Sequence, residues 1–368
     1  MRARTIIIGG GVIGLMAARE LLIGGEPITL LEAERTGAAA SWAGGGILSP
    51  LYPWTYPDSV NRLAMISQRL YPGLIHTLAS DTGIDAEWRQ TGLLSMLEDS
   101  PETALGWAKV WQQELEVVDA DGIQRRQPGL APFERALWLP TVAQVRNPRL
   151  MKALASDVRR RGGIVHEGAR VDTIDVRDGQ VQWVSAGAQR WEVDRCVIAA
   201  GAWSGGLAAS VGVPLPVHPV RGQMLMFQAT PHLVQTVVQF RERYVIPRSD
   251  GRVLVGSTVE PDAGYSATVS DEAREALYST ATRLLPALGK YSVEGHWAGL
   301  RPSSPGGVPF IGRHPSVDNL YFCTGHFRNG IVLAPGSVRL LADLVLGRRP
   351  SLDPQPYGLS RDFAAKPI

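Results

Sequence analysis

The sequence predicts an α/β fold with a parallel sheet and a second, antiparallel sheet region, and three observations lead to this prediction. The chain opens with an apolar, β-branched stretch at residues 4–9 that lacks alternation, as in a strand buried on both faces. A glycine-rich turn, a helical pattern and a second apolar strand at residues 27–32 follow and complete a βαβ unit. Further along, helical patterns alternate with hairpin signals, which indicates antiparallel strands interleaved with the α/β part.

Length and composition predict a globular protein with more than one domain. The 368 residues exceed the roughly 250–300 at which a single hydrophobic core stops growing. Hydrophobic residues make up 45% and charged residues 20%, which excludes a disordered or fibrous chain. With 37 basic and 35 acidic residues the charge is nearly balanced, so nucleic acid is not an expected partner.

Cysteine usage and the apolar runs predict a soluble cytoplasmic protein without stable membrane insertion. Cys196 and Cys323 are the only cysteines and sit in apolar runs, so we expect buried free thiols and no metal site. The apolar run at residues 5–18 resembles a signal peptide, but its glycine spacing argues against one. The uncharged run at residues 196–220 contains three prolines that would break a membrane-spanning helix.

The helical elements are predicted from periodicity and from the residues at their ends. The first helix covers Val12–Ile23 and ends at a glycine pair. A second helix runs over residues 148–161, begins at a proline and is followed by a strand at 164–167. The arginine run at 159–161 is interpreted as a solvated helix end, where cations favour the helix dipole. A third helix is predicted over residues 270–284, with Ser270 as its N-cap.

The remaining strands are predicted as a meander and a hairpin. Turn residues and alternation predict a three-stranded meander with strands at residues 171–176, 180–184 and 191–199. Strands at 244–248 and 252–256 flank an Asp-Gly pair, which is typical of a hairpin turn.

The segment Gly9-Gly10-Gly11-Val12-Ile13-Gly14 predicts a dinucleotide site. It satisfies G-x-G-x-x-G between a strand and a helix, the setting that makes this motif informative. Gly9 permits the tight turn, Gly11 lets a pyrophosphate approach, and Gly14 lets helix and strand pack closely. Glu32, eighteen residues after Gly14, ends the next strand, where a carboxylate accepts ribose hydroxyls and repels a 2′-phosphate.

A second loop of small residues favours FAD over NAD as the dinucleotide. The loop carries Ser41, Ala43, Gly44, Gly45 and Gly46, and no charged residue occurs from residue 37 to 56. A nicotinamide domain has no use for such a loop, whereas it suits backbone lying against a pyrophosphate and a flat isoalloxazine ring. A flexible surface loop is the alternative interpretation.

These motifs resemble the D-amino-acid oxidase superfamily, and two further segments resemble the glycine oxidases within it. The two segments are Trp-Ala-Gly-Leu-Arg-Pro at residues 297–302 and Gly-His-Phe-Arg-Asn-Gly at 325–330, and the resemblance covers about residues 4–345. It implies a Rossmann-like FAD-binding domain of the D-amino-acid oxidase type with an interleaved antiparallel-sheet substrate domain. We expect the FAD-binding domain at residues 1–80, 146–220 and 300–368, and the substrate domain at 81–145 and 221–299.

The resemblance also implies a set of site residues. Arg301 would anchor the substrate carboxylate, which suits the guanidinium fork, although a structural ion pair is the alternative. Tyr244 would reach the substrate with its hydroxyl, with a core aromatic as the alternative, and the backbone carbonyl of Arg328 would accept from the substrate amine. His326 is expected to be a packed histidine without a catalytic role. The residues expected to hold the cofactor are Gly9, Gly11, Val12, Ile13, Gly14, Glu32, Ser41, Ala43, Gly44, Gly45, Gly46, Ile47, Val171, Ala200, Gly201, Trp203, His326, Arg328, Asn329, Gly330, Ile331 and Leu333.

The implied activity is the FAD-dependent oxidative deamination of glycine, sarcosine and small D-amino acids. Hydride transfer to the flavin would give an imine that hydrolyses to the 2-oxo acid and ammonia, with dioxygen consumed and hydrogen peroxide released. The FAD is expected to be non-covalent, the enzyme a homo-oligomer, and its role the supply of thiamine thiazole synthesis. Two alternatives stay open: a D-amino-acid dehydrogenase that passes electrons to a quinone, and a non-catalytic flavin-binding subunit, which loss of Arg301 and Tyr244 would mark.

Overall fold

A computed structural model describes residues 4–97 and 100–361 of the chain. The ends of the predicted FAD-binding domain, residues 1–3 and 362–368, and residues 98–99 of the predicted substrate domain lie outside the described residues. The strands are, in chain order, β1 (Thr5–Ile8), β2 (Ile28–Leu31), β3 (Arg89–Gln90), β4 (Leu93–Met96), β5 (Glu116–Asp119), β6 (Arg135–Leu139), β7 (Ala143–Gln144), β8 (Ile164–His166), β9 (Thr173–Arg177), β10 (Gln180–Ala186), β11 (Gln189–Glu192), β12 (Arg195–Ile198), β13 (His218–Gln228), β14 (Val237–Phe240), β15 (Arg243–Pro247), β16 (Arg252–Gly256), β17 (Val293–Ser303), β18 (Phe310–Arg313) and β19 (Leu320–Thr324). The helices are α1 (Val12–Ile23), α2 (Ala40–Ala43), α3 (Asp58–Thr82), α4 (Glu102–Trp111), α5 (Ala120–Arg126), α6 (Asn147–Arg160), α7 (Ser204–Ser210), α8 (Asp271–Leu284) and α9 (Gly330–Val345).

The first sheet has six strands in the order β18-β19-β12-β1-β2-β8 and is parallel except between β18 and β19. Side chains of β1 alternate between two cores: Ile7 packs with α1, α3, α6 and α9, whereas Ile6 and Ile8 pack with the β9–β11 meander. Both faces are therefore covered, which is why β1 has no polar alternation. The predicted β1-α1-β2 unit is confirmed.

The meander has different limits from those predicted. The predicted third strand, residues 191–199, is two elements: β11 pairs with β10, and β12 leaves the meander to pair with β1 and β19 in the parallel sheet. Residues Cys196, Val197 and Ile198 are fully buried and apolar, so they fit a central strand with two covered faces, whereas β11 is largely exposed.

The second large sheet has eight strands in the order β17-β13-β16-β15-β14-β4-β6-β5. It is antiparallel except for the parallel pair β4 and β14, so the expected antiparallel sheet contains one parallel step. The predicted hairpin is confirmed as β15 and β16, and the predicted helix as α8, whose N-cap Ser270 accepts from the Ala273 N–H at 3.3 Å.

The two faces of the eight-stranded sheet have different roles. On β15, Val245 points into the core that α8 covers, whereas Tyr244 and Ile246 point to the opposite face. That opposite face packs with Ile47 and Trp297 and is directed at the small-residue loop. The period of two along β15 therefore brings Tyr244 to the side where the two sheets meet.

We propose that the chain forms the two domains expected from the sequence, each built around one of the two large sheets. The six-stranded sheet takes its strands from residues 5–31, 164–198 and 310–324, and the eight-stranded sheet takes its strands from 93–139 and 218–303. The strands β13 and β17 cross the proposed boundaries at 220/221 and 299/300 and pair with each other.

Over residues 4–97 and 100–361, no helix has both the length and the apolar character that crossing a membrane requires.

The arginine run lies at the end of α6 with Arg159 and Arg160 exposed, as expected, and Arg160 and Arg161 also belong to an ion-pair cluster that the sequence did not indicate. Asp157 is fully buried and accepts from Arg19 at 2.8 Å, from Arg160 at 2.8 Å and from Arg161 at 2.7 Å. Burial alone would raise the pKa of Asp157, but the hydrogen bonds from Arg161 and Arg160 and the charges of Arg161 and Arg19 outweigh it and hold that pKa below its ordinary value. Spacing within one helix could not reveal the contact to Arg19 in α1.

We predict that Asp157→Asn destabilises the protein by about 2–4 kcal/mol at neutral pH, because it removes the anion that three guanidinium groups share. The lowered pKa means that this stabilisation is present above the unfolded carboxyl pKa of about 3.9 and is lost as the pH falls below it. Denaturant unfolding at pH 7 and near pH 3 checks both statements. As a control, Asp318→Asn removes an exposed pair with Arg313 and should cost at most about 1 kcal/mol. Equal losses for the two variants would contradict the prediction.

Candidate active site

A cavity of about 470 Å³ lies where the carboxyl ends of the parallel strands meet the eight-stranded sheet. Its wall includes the β1-α1 turn, the end of β2, the small-residue loop, the segments after β12 and β19, and part of β17. A ligand site at the carboxyl ends of parallel strands is the general rule for open α/β sheets.

The glycine turn has the geometry that its motif predicts. Gly9 has φ +110°, and a Cβ there would lie 2.5 Å from the Ala199 carbonyl oxygen of the neighbouring strand segment. A Cβ on Gly14 would lie 1.8 Å from the Gly9 carbonyl oxygen, so α1 and β1 pack as closely as they do only because Gly14 has no side chain. The N–H of Val12 donates to Ser41 Oγ at 2.9 Å and ties the helix start to the second loop.

Glu32 lies at the end of β2 beside this turn, as predicted. Its Oε2 accepts from the Gly10 N–H at 2.6 Å and its Oε1 accepts from the Glu34 N–H at 2.9 Å. These two bonds hold the carboxylate at the cavity wall, in the position from which it can accept from a ribose.

The second loop is pinned on both sides, so the alternative of a flexible surface loop is wrong. The Gly44 carbonyl accepts from Asn147 Nδ2 at 2.9 Å, and the Gly46 carbonyl accepts from the Val145 N–H at 2.9 Å. The Gly45 carbonyl accepts from Arg248 Nη2 at 2.8 Å. With three successive carbonyls bound, the loop backbone is fixed where it forms the wall of the cavity.

Arg248 is a supporting residue that the sequence did not indicate. It is only 7% exposed, and its Nη1 donates to Gln144 Oε1 at 2.7 Å and to the Val145 carbonyl at 3.0 Å. Burial lowers the pKa of Arg248 to about 10, which still leaves it protonated at neutral pH. Its function depends on burial between distant segments, so no local pattern could have found it.

Among the residues that the structure describes, no carboxylate forms an ion pair with the Arg301 guanidinium. On β17, its Nη2 donates to Ser257 Oγ at 2.6 Å and its Nη1 donates to the Thr258 carbonyl at 3.1 Å. Burial lowers the pKa of Arg301, and the neighbouring Tyr244 partly offsets this. The alternative of a structural ion pair is therefore not what the structure contains.

Tyr244 and Arg328 lie around the same space as Arg301. A second cavity of about 70 Å³ adjoins the first, and all three residues line both. Tyr244 is 8% exposed and its hydroxyl lies 3.4 Å from Met224 Sδ, so it is both a packed aromatic and a cavity residue. The Arg328 side chain has one weak ion pair, at 4.0 Å from the exposed Glu242.

Two residues that line the cavities have a buried polar atom without a partner within the described chain. They are His326 of the main cavity, through Nε2, and Asn329 of the small cavity, through Nδ2. Burial lowers the pKa of His326 to about 3, so its ring is neutral at working pH. Buried polar groups without partners are rare, and because these two belong to residues of the cavity walls, a ligand bound there could supply their partners.

Most residues expected to hold the cofactor line one of the two cavities. The main cavity is lined by Gly9, Gly11, Val12, Ile13, Glu32, Ser41, Ala43, Gly44, Gly45, Val171, Ala200, Gly201, Trp203, His326, Arg328, Gly330 and Ile331. Gly46, Ile47 and Asn329 line the small cavity. Gly14 and Leu333 line neither: Gly14 packs against Gly9, and Leu333 is fully buried in the core beneath the sheet.

The sequence analysis named Trp203 but missed Tyr265, its aromatic partner at the cavity. Tyr265 stacks on Trp203 with ring centroids 5.8 Å apart, and its hydroxyl donates to the Ala202 carbonyl at 3.4 Å. Tyr265 lies in a polar loop without periodicity, so only the tertiary fold brings it to the cavity.

The fold and the cavity together define a dinucleotide-binding protein of the Rossmann-like class. The residues present fit FAD: the glycine turn leaves room for a pyrophosphate, Glu32 is placed for the ribose, and the second loop gives a backbone surface of small residues held by hydrogen bonds. Residues 4–344 match the FAD dependent oxidoreductase family, and the chain belongs to this family. FAD is its cofactor, and the D-amino-acid oxidase type of fold expected from the sequence is confirmed.

Individual relatives resemble the chain along almost its whole length. It is 45% identical to a glycine oxidase of Pseudomonas aeruginosa, over 97% of this chain and 98% of the relative. It is 34% identical to the bifunctional protein ThiO/ThiG of Synechocystis, covering 94% of this chain and 52% of that protein. The crystal structure of glycine oxidase from Geobacillus kaustophilus superposes with a TM-score of 0.91 at 30% identity, covering 98% of this chain and 99% of the other.

We predict that Gly14→Ala weakens FAD binding about tenfold or more. The added methyl group would overlap the Gly9 carbonyl, and relief requires α1 to move away from β1 and from the cavity. Such overpacking costs about 1–3 kcal/mol, and about 1.4 kcal/mol is tenfold in affinity. The measurement is the FAD content of the purified variant and its FAD dissociation constant. Gly106→Ala in α4, where no atom lies within 4 Å of the added Cβ, is the control and should keep full FAD content; loss of FAD in both variants alike would contradict the prediction.

Proposed function

We propose that this enzyme catalyses the oxidative deamination of glycine and other small primary or secondary amines that carry an α-carboxylate. The observation that carries this proposal is the small cavity lined by the unpaired guanidinium of Arg301 together with Tyr244. Within the described residues this cation donates to neutral acceptors, and a partly buried guanidinium of that kind is suited to bind an anionic ligand group. The similarity to glycine oxidases over nearly the whole chain supports the same substrate class.

The side chains around the small cavity suggest how a substrate would be held. Arg301 would bind the carboxylate through two parallel hydrogen bonds, and the Tyr244 hydroxyl would donate to the same carboxylate. The backbone carbonyl of Arg328 would accept from the amine. FAD, when bound, supplies the acceptor for the hydride from the substrate α-carbon, and dioxygen is the final electron acceptor.

The small cavity contains no general base of the usual kind. Among the described residues that line it, none is a histidine, an aspartate or a glutamate. Loss of a hydride from the α-carbon needs a neutral amine but no strong protein base, so this composition suits the proposed reaction. Catalysis would then depend on holding the substrate in position.

The alternatives fit the site less well. A non-catalytic flavin-binding subunit has no use for Arg301 and Tyr244, and both are present at the cavity. A dehydrogenase that uses a quinone would share the same binding residues, and the resemblance to glycine oxidases favours the oxidase.

The resemblance to the ThiO/ThiG protein supports a role in supplying thiamine thiazole synthesis.

Location and assembly complete the proposal. We propose a cytoplasmic enzyme that assembles as a homo-oligomer and binds FAD non-covalently. Cys196 and Cys323 are both buried free thiols, as expected for a reducing compartment. Light scattering on the purified protein tests the assembly, and release of free FAD on denaturation tests the non-covalent attachment.

We predict that Arg301→Ala keeps FAD but lowers kcat/KM for glycine roughly a hundredfold or more. One bidentate contact to a charged group is lost, at about 1.5–3 kcal/mol per hydrogen bond. Peroxide release gives the rate, and the flavin absorbance gives the FAD content. Arg252→Ala is the matched control: Arg252 lies on the same sheet in partly exposed ion pairs with Glu294 and Asp250 and lines neither cavity, so its loss should leave kcat/KM unchanged. Normal turnover by the Arg301 variant would place the carboxylate anchor elsewhere.

We predict activity on glycine, sarcosine and D-alanine, lower activity on bulky D-amino acids and none on L-amino acids. Ile47, Ser49 and Leu51 form a wall of the small cavity, so each added side-chain carbon has little room. A displacement of the reacting carbon near 1 Å costs on the order of a hundredfold. The experiment mixes the protein with each substrate anaerobically, follows flavin bleaching, then admits air and measures peroxide. Bleaching without peroxide would favour the dehydrogenase, and a strong preference for a large D-amino acid would overturn the substrate assignment.

A further inference from the structure

A buried hydrogen bond joins α3 to the first turn of α9. Tyr71 of α3 is 0% exposed, and its hydroxyl donates to the Ile331 carbonyl at 2.5 Å. Burial raises the pKa of Tyr71, so the hydroxyl stays protonated and remains a donor throughout the working pH range. Neither the glycine motif nor the substrate-binding residues account for this contact.

The sequence of α9 explains why the Ile331 carbonyl needs a donor from outside the helix. In an α-helix this carbonyl would accept from the N–H four residues later, and that residue is Pro335, which has no N–H. Tyr71 therefore supplies the hydrogen bond that Pro335 removes. One turn away, Ser67 of α3 accepts from the Gly336 N–H at 2.8 Å, so α3 holds α9 on both sides of the proline.

The two helices cannot easily shift relative to one another at this point. A Cβ on Gly336 would lie 3.0 Å from the Leu63 carbonyl oxygen, which shows how closely the backbones of α9 and α3 approach. The polar contacts and this close approach fix the position of the N-terminal end of α9.

That end of α9 forms part of both cavities. Gly330 and Ile331 line the main cavity, and Ile331 and Val332 line the small one. The first N–H groups of a helix have no partner within the helix and carry partial positive charge, which favours negative charge on a ligand in front of them. Gly330 and Ile331 are among the residues that the family resemblance implies for holding the cofactor, and a reduced flavin carries negative charge that such a helix end would stabilise.

We propose that Tyr71 is a positioning residue for the FAD site: through the Ile331 carbonyl it holds the N-terminal turn of α9 against the cofactor, and it thereby tunes the flavin reduction potential. The proposal rests on the cofactor placement that belongs to the proposed function. Without the hydroxyl, the Ile331 carbonyl would be buried without a donor, and the first turn would move to find one. Reduced flavin would then lose part of the stabilisation from the helix end.

The test measures the two-electron reduction equilibrium of the holoenzyme against a reference dye. Tyr71→Phe keeps the ring and removes only the hydroxyl, and it should lower the equilibrium constant for reduction about fivefold, or roughly 20 mV for a two-electron couple. The flavin absorption band should shift in the same variant. Tyr357→Phe is the matched control. The buried Tyr357 also donates its hydroxyl hydrogen to a backbone carbonyl of α3, that of Ser59 at 2.8 Å, but Tyr357 lines neither cavity. The control should lose comparable thermal stability with no change in reduction equilibrium.

A rescue variant separates positioning from general loss of stability. In Tyr71→Phe/Pro335→Ala the backbone N–H at position 335 returns and can donate to the Ile331 carbonyl within the helix. We expect the reduction equilibrium to return to within about twofold of that of Pro335→Ala alone. If Tyr71→Phe fails to hold FAD, the double variant supplies the same measurement, and absence of rescue would contradict the proposal.

The outcomes also separate this inference from the proposed function. Equal reduction equilibria for Tyr71→Phe and Tyr357→Phe would overturn the positioning role, even in an enzyme that oxidises glycine. If the wild type holds FAD but oxidises no small amine, the proposed function is wrong, whereas a fivefold change specific to Tyr71→Phe would still support the positioning role.

Discussion

The close approach of backbone to backbone at the glycine turn is the constraint on which the rest of this structure depends. A Cβ on Gly14 would overlap the Gly9 carbonyl, and a Cβ on Gly9 would overlap Ala199 in the next strand segment. Because neither is there, α1 packs directly on the sheet and its N-terminus faces the cavity. The other walls are then placed by the strands that pair with β1: β2 brings Glu32, and β12 brings the segment that contains Ala200 and Trp203.

A second feature of the site is that neutral oxygen atoms bind its two buried arginines. Arg248 and Arg301 both donate to carbonyl, amide or hydroxyl oxygens, so their charges are solvated by the protein without being neutralised. Burying a guanidinium in this way costs free energy. The buried Arg248 fixes the glycine loop, whereas the buried Arg301 keeps a charge available for a ligand carboxylate.

Local features of the fold could be predicted from the sequence, and tertiary features could not. The glycine turn, the β15-β16 hairpin and the Ser270 cap were predicted because their signals lie within a few residues of each other. Neither α3 nor α9 was predicted: each contains an internal proline, which ordinarily indicates a helix end, and in α9 the missing bond is replaced by Tyr71, far away in sequence. The roles of Arg301, Tyr244 and Arg328 came from resemblance, because residues on β15, on β17 and before α9 meet only in the folded chain.

The described residues of the small cavity include no histidine, aspartate or glutamate, so the surrounding structure would have to promote the reaction by positioning the substrate. Where proton transfer by a side chain dominates, the pKa of one group sets the rate. Here the reacting centre would depend on position, and errors near 1 Å are costly. Each wall is accordingly held by buried polar contacts from behind: the glycine loop by Arg248, the Arg301 guanidinium by Ser257 and Thr258, and the start of α9 by Tyr71. The residues that touch the ligands are therefore only part of the active site, because its precision comes from the buried donors and acceptors behind them.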